Sequence, residues 1–402
     1  MNLSVTNSHE AEIAVIHPNL NMKGGSEAVC MNVLEALQED YSVTLITITP
    51  PDFEGLNKFF GTSVEEVSVN KDIGTLLSIF RSILSLTQIF ELSALSNSLL
   101  SRHTKDLQQS FDLVISTKEE IGFHSRAVQY IHFPRQGVIV EEGRDEIPGQ
   151  EESNSSLYQA YDAVCRLIAG YSRRRISEDR LLVNSQWTAN IVECIYNRTP
   201  EVVYPPIDNR GFTDIKWEHR ENGFVAIGRL CPGKRVSRTI KIIDELHDWN
   251  DNIHLHLIGP IDDTLYSDHI KQAAESREYI YLEGECSRTE LIDMIQRHRY
   301  GIHGKEFEHF GMAVAEMVTG GAIPFVPNSG GQTDIVRNDD RLLYNNIDNA
   351  VMKIRAVLEY PDEQQSLRSM LRDSSDRFTR ERFHQRIQSV ISEELDQTDS
   401  TT

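Results

Sequence analysis

The stretch EFEHFGMAVAEM, residues 306–317, sets two carboxylates, Glu308 and Glu316, eight residues apart with Gly311 between them. Acids so spaced can hold two ends of one elongated polar ligand. Gly311 is placed to open a helix, whose first amides lack intrahelical partners and attract phosphate oxygens. Glu316 is then expected two turns along that helix, where a carboxylate suits the paired hydroxyls of a ribose or hexose. The next strand ends in NSGG, residues 328–331, a second glycine-bearing loop. The plainer reading is a solvated helix with two unrelated acids. The density of glycine and polar groups over residues 308–336 weighs against it.

Two more loops carry suitable groups. In GRLCPGKR, residues 228–235, Arg229 and Lys234 bracket a turn at Pro232–Gly233. A guanidinium and an ammonium held this way can clamp a diphosphate, although two surface cations on a solvated turn would read the same. In HPNLNMKGGSEAV, residues 17–29, Gly24 and Gly25 precede a helix starting near Ser26. Backbone amides there could approach a phosphate, or the loop is plain, with Ser26 as N-cap. Neither loop is a dinucleotide fingerprint or a P-loop. His132 closes a strand, and His309 stands beside Glu308. Both can line a site, while His17 and His303 are weaker candidates.

The elements that must position these groups alternate between strand and helix. Short apolar runs at 12–17, 41–49, 111–117, 127–133 and 180–185 read as buried strands, with a helix over 26–37. Pro205 and Pro206 stop a run over 201–208 and mark a domain boundary. The alternation restarts with strands at 223–230, 253–259, 279–284 and 321–327, and helices at 237–246, 268–276 and 288–298. Residues 350–395 are helical. The expectation is α/β: two doubly wound Rossmann-like domains facing a cleft, with ligands at the strand exits.

Composition agrees with this. A chain of 402 residues, 39% hydrophobic and 25% charged, has material for two cores. A net charge of −21 argues against nucleic acid as a main partner. Five scattered cysteines form neither metal spacing nor a disulfide framework, which fits a reducing cytoplasm. The first ten residues read as a polar tail without secretory features, and no run is long and apolar enough to span a bilayer. Residues 74–100 carry only Arg81 and Glu91 as charges. They could lie on a membrane surface as a peripheral contact; scarce lysine and arginine favour a helix pair packed on the first sheet.

EHFGMAVAE followed by NSGG resembles the E-x7-E region of retaining nucleotide-sugar glycosyltransferases of the GT-B fold, the GT4 family. GGSEAV, YIHFP, NSQWT, VVYPP and GRLCPGK agree in order. The wording is most similar to the branch that adds α-1,2-mannose to lipid-linked oligosaccharide. The resemblance implies domains 1–207, with 380–402 packing back on it, and 208–379. It implies a nucleotide-sugar donor, GDP-mannose favoured, a glycan or lipid-linked acceptor, and no metal or other cofactor. Carried over, Arg229 and Lys234 hold the donor diphosphate, Glu308 lies by the transferred sugar, and Glu316 takes the ribose. Gly311 and Met312 offer amides, and His309 and Phe310 line the donor. Gly24 and Gly25 approach the phosphate, and His132 stands at the reaction centre. Arg135, with Arg173 and Arg174 of the basic patch YSRRRIS, is assigned to the acceptor or lipid side. Ala28 replaces an arginine usual in that branch, and Gly233 an acid frequent in the family. These departures touch donor and acceptor identity, not the class of reaction.

Overall fold

The computed structural model describes residues 11–72, 92–140, 156–213, 215–261 and 264–399. Its contacts divide the chain into two units, Met1–Pro206 with Glu381–Thr402, and Ile207–Arg380.

In the first unit, β1 (Glu12–Ile16), α1 (Gly25–Leu37), β2 (Ser42–Ile46), α2 (Phe53–Phe60) and β3 (Val67–Asn70) come first. Then follow α3 (Leu92–Leu107), β4 (Leu113–Ser116), β5 (Val128–Ile131), α4 (Arg135–Val140), α5 (Ser156–Ala169), α6 (Arg173–Ile176), β6 (Arg180–Val183), α7 (Gln186–Tyr196) and β7 (Glu201–Val202). The second unit runs β8 (Glu221–Ile227), α8 (Val236–Trp249), β9 (His254–Ile258), α9 (Leu265–Glu275), β10 (Ile280–Gly284), α10 (Arg288–Arg297) and β11 (His298–Ile302). It continues with α11 (Met312–Thr319), β12 (Ile323–Pro327), α12 (Gln332–Ile335), β13 (Leu343–Tyr344), α13 (Ile347–Glu359) and α14 (Pro361–Ser375). A last helix, α15 (Arg380–Asp399), belongs to the first unit.

Both sheets are parallel. The first has the order β3-β2-β1-β4-β5-β6-β7 and the second β10-β9-β8-β11-β12-β13. Each strand order reverses once, between β1 and β4 and between β8 and β11. Loops diverge there and leave a crevice at the carboxyl ends. Alternation along β1 feeds both faces of its sheet. Ile13 and Val15 join a core with Leu34 of α1 and Phe383, Ile387 and Ile391 of α15. Ala14 and Ile16 join Leu100, Val114 and Phe123 on the other side. Each such side chain contributes about 1.5–3 kcal/mol by leaving water. Polar ties add to the seat of α15, since Arg386 Nη2 donates to Glu201 Oε2 at 2.7 Å.

The structure departs from the sequence expectation at β11. Residues HRYGI read as the end of a helix and a loop, yet they form an inner strand between β8 and β12. His298 turns extended, at φ −103° and ψ 148°, and ends α10. Tyr300 pairs with Phe224 and Ile323 and is 1% exposed. The strands β3 and β13 were also not foreseen, and the 201–208 run shrinks to two residues before the prolines. The helical stretch 350–395 is three helices, interrupted at Pro361 and at the turn Asp376–Phe378. Most of the 74–100 segment lies outside the described residues. Its remainder is the start of α3, which packs against α5. Among the described residues no helix is long and apolar enough to cross a membrane.

Candidate active site

In the second unit the groups gather where strand order reverses. Lys234 ends a short turn after β8, Pro232–Lys234, and His303 follows β11 directly. The loop from His303 then brings Glu308 back. Lys234 Nζ donates to Glu308 Oε2 at 2.7 Å, and Lys305 Nζ to Glu308 Oε1 at 3.2 Å. His303 Nε2 is 3.3 Å from Glu308 Oε2. Burial raises the Glu308 carboxyl, but the His303 hydrogen bond and the two ammonium groups outweigh it and hold the acid well below its usual range. Burial also lowers the His303 pKa, so at neutral pH its contribution to Glu308 is a hydrogen bond and not a charge.

The NSGG loop braces this acid from behind. Gly331 N–H donates to Glu308 O at 2.7 Å, and Phe307 N–H to Ser329 Oγ at 3.1 Å. Gln332 Nε2 donates to Lys305 O at 2.9 Å and Ser329 O at 3.0 Å, tying the two loops. Gly330, at φ 76°, packs so close that a Cβ would lie 2.4 Å from Glu308 O. The glycine loop therefore serves Glu308 first.

Gly311 is the N-cap of α11 at φ 112°. Its Cβ would lie 3.3 Å from Gln332 Cβ and from Ile335 Cδ1. The amides from Met312 onward open that helix. Glu316 falls a little over one turn in, not two, because the helix starts only at Met312. It is ion-paired with Arg288 Nη1, whose Nη2 donates to Asp208 O at 2.7 Å. Burial raises the Glu316 carboxyl above its ordinary value while Arg288 pulls the other way.

Other expected residues have mixed surroundings. Arg229 is exposed, and its guanidinium has no ion-pair partner among the described residues. His309 is brought to about 4, first by burial and then by Lys305. Phe310 is 3% exposed and packs edge-on against Phe378 at 5.5 Å, so its ring belongs to the core and only its backbone can meet a ligand.

The first unit has its own cluster at its own reversal point. His17 follows β1, and Thr117 and Lys118 follow β4. His17 Nδ1 is 3.0 Å from Thr117 Oγ1, and its Nε2 is 3.2 Å from Glu27 Oε1. Lys118 Nζ donates to Glu27 Oε1 and Ser26 Oγ, each at 2.7 Å. Burial raises Glu27, but His17 and Lys118 together hold it far below the carboxylate range. Gly24, not Ser26, is the N-cap of α1, and its N–H donates to Glu27 Oε2 at 2.9 Å. The Gly24 amide is thus already taken by the Glu27 carboxylate, and Gly25 stays exposed.

His132 lies just past β5, its ring 5.0 Å from that of Tyr130, and Arg135 opens α4. Arg173 and Arg174 sit on the exposed short helix α6, where Arg174 Nε donates to Glu178 Oε1 at 3.2 Å. Sequence reasoning missed Lys118, Glu27, Lys305 and Arg288, and ranked His303 low. H-G-K-E-F-E, residues 303–308, was the available signal, since His303, Lys305 and Glu308 share one short loop.

Solved structures share this architecture. Anabaena HepE in complex with UDP and glucose superposes with a TM-score of 0.65 at 15% identity, over 95% of this chain and 100% of that one. WaaG, a glycosyltransferase involved in lipopolysaccharide biosynthesis, gives 0.61 at 13% identity, over 90% and 95%. The fold is GT-B: two parallel α/β sheets, each with a polar cluster where its strand order reverses.

Residues 210–373, within the second unit, match the family Glycosyl transferases group 1. Two relatives are named GDP-Man:Man(3)GlcNAc(2)-PP-Dol alpha-1,2-mannosyltransferase. The one from Dictyostelium discoideum is 25% identical over 264 residues, 60% of this chain and 51% of that protein. The one from Mus musculus is 23% identical over 373 residues, 83% of this chain and 76% of that protein. The chain thus spans about half of the first and three quarters of the second.

Proposed function

We propose that the chain is a retaining mannosyltransferase that takes GDP-mannose as donor and a lipid-linked oligosaccharide as acceptor. The carrying observation is the Lys234–Glu308 contact of 2.7 Å beside the open amides of α11. In this reading the bond between the sugar C1 and the diphosphate oxygen breaks, and negative charge collects on the diphosphate. Arg229, Lys234 and the α11 amides are fixed positive groups that lower the barrier where that charge develops. Lys234 turns from Glu308 to the diphosphate, while Lys305 and His303 keep Glu308 compensated beside the sugar. Glu316 holds the ribose. The acceptor hydroxyl attacks C1 on the face the diphosphate leaves, and its proton departs with the product nucleoside diphosphate. No step draws on a metal ion. Gly25, His132 and Arg135 serve the acceptor side, and Arg173 and Arg174 meet an anionic head group at the cytoplasmic face of a membrane.

The relatives' shared name supports GDP-mannose, and the HepE complex with UDP supports a UDP-sugar as the competing donor. A thermal-shift screen of GDP-, UDP- and ADP-sugars tests this, because a ligand that binds only the native state raises its melting temperature. Stabilisation by UDP-sugars and not GDP-mannose would overturn the donor assignment. Absence of both hydrolysis and transfer with every donor would leave a sugar-nucleotide-binding protein.

A further inference from the structure

Three histidines of the second unit converge at the amino ends of its strands, opposite the edge that carries Lys234 and Glu308. His254 and His256 stand two apart at the start of β9 and face one side of the sheet. His298 begins β11. Between those strands runs β8, which offers Gly223 opposite His254. A Cβ at Gly223 would lie 2.2 Å from His254 Nε2 and 2.5 Å from His298 Cδ2. Its lack of a side chain lets rings from non-adjacent strands meet. The ring centroids are 5.3 Å apart for His254–His256, 5.3 Å for His254–His298 and 4.4 Å for His256–His298. One ligating nitrogen from each lies within 4.8 Å of the others.

The hydrogen bonds fix which nitrogen is available. His254 Nδ1 faces Asn252 O at 3.3 Å, and His298 Nδ1 faces Met294 O at 2.6 Å. His256 Nδ1 faces Glu283 Oε1 at 2.6 Å. These oxygens only accept, so each Nδ1 carries the hydrogen and each neutral ring keeps its lone pair on Nε2. His254 Nε2 and His298 Nε2 are buried with no hydrogen-bond partner among the described residues, and the His298 side chain is wholly buried. The carboxylate that faces both, that of Glu221, is another acceptor, its Oε1 lying 3.9 Å from Arg297 Nε. Glu221 Oε2 lies 3.5 Å from His254 Nε2 and 4.0 Å from His298 Nε2. Ring packing accounts for the proximity of the imidazoles. It does not account for lone pairs aimed at a carboxylate, an arrangement that an interposed cation makes favourable.

We propose that His254, His256 and His298, with Glu221 as fourth ligand, form a zinc site that clamps the amino ends of β8, β9 and β11. Three imidazoles and one carboxylate suit Zn²⁺, and such a donor set disfavours Mg²⁺ and Ca²⁺. The partners on each Nδ1 are the outer contacts that orient ligating histidines. Zinc–nitrogen bonds of about 2.0–2.1 Å draw the rings slightly closer than they stand. Glu221 is half exposed, which gives the ion a path in from solvent. This site is independent of the transferase reading and lies in none of its steps.

The test uses the full chain, stripped with a chelator and titrated with zinc chloride by calorimetry. One zinc per chain should bind at micromolar Kd or tighter, with a higher melting temperature. Cobalt(II) in place of zinc should give the visible absorption of a tetrahedral complex. The double variant H254Q/H256Q alters two partly exposed ligands and should weaken zinc binding by at least about 100-fold, since losing even outer contacts costs 10–100-fold. Gly223→Ala keeps every ligand, blocks the meeting point and should weaken binding as well. No stoichiometric zinc on the wild-type chain, or equal zinc affinity in wild type and both variants, overturns the proposal.

Discussion

Lys234 Nζ sits 2.7 Å from Glu308 Oε2 although 74 residues separate them in the chain. The contact joins the loop after β8 to the loop after β11, the two loops that part at the reversal of strand order. Each group makes the other tolerable in a partly buried setting. A donor diphosphate would draw Lys234 away and leave Glu308 with Lys305 and His303.

Replacing Lys234 tests that exchange. Lys234→Ala is expected to lower kcat/KM for GDP-mannose by roughly 100- to 1000-fold, the range for losing one preorganised charge-stabilising group. Lys305→Ala should cost less, because Lys305 stays on Glu308. Initial-rate kinetics with both variants decide this. An unchanged kcat/KM in Lys234→Ala removes Lys234 from the mechanism.

Glu316 should act on binding more than on turnover. Glu316→Gln keeps the shape but drops the charge. Hydrogen bonds to charged groups contribute about 1.5–3 kcal/mol, so GDP should bind roughly 10- to 100-fold more weakly. Calorimetric titration with GDP reads this directly. If affinity holds and only kcat falls, Glu316 is not a ribose hold.

The brace behind Glu308 is equally exposed to test. Gly330→Ala places a Cβ 2.4 Å from Glu308 O and 2.6 Å from Glu308 N at φ 76°. Strain of this kind costs on the order of 1–3 kcal/mol, and here it also pushes Glu308 off Lys234. The expected result is a lower melting temperature together with lost transfer. A variant as stable and as active as wild type would mean that the loop yields freely.

A pH experiment isolates Glu120 in the first unit. Burial pushes its carboxyl from 4.5 up to about 7, against hydrogen bonds from Gly137 N–H at 2.9 Å and Tyr196 OH at 3.0 Å. The folded state therefore holds a proton that the unfolded chain releases. Stability from this group is complete below pH 4.5 and is lost as pH rises to about 7. Glu120→Gln mimics the protonated form and can accept both bonds. Its melting temperature should gain on wild type between those pH values and keep a constant lead above. A constant difference across the whole range would show that Glu120 ionises normally.

The acids, the glycines and most strands could be read in advance because they follow strong local rules. Apolar runs such as EIAVI and LVIS can only be buried, and Gly311 before an apolar helix marks an open N-terminus. What escaped was set by pairing in space. β11 starts with His298 and Arg299, so its period is hidden, and only its place between Phe224 and Ile323 makes Tyr300 core. Lys118 reads as a loop lysine until β4 lies beside β1 and carries it to Glu27. Arg288 opens an ordinary helix, and nothing near it in sequence points to Glu316. Gly223 looks like a flaw in a strand until the histidines on either side are seen.

One strand joins the two ends of the second unit. β11 begins at His298 in the histidine cluster and ends one residue before His303, the neighbour of Glu308. Five steps at about 3.3 Å put roughly 16 Å between them along a buried, doubly paired strand. Cobalt seated at the amino end would thus be a built-in paramagnetic gauge, broadening the phosphorus resonances of a nucleotide bound at the other end by an amount set by that fixed length.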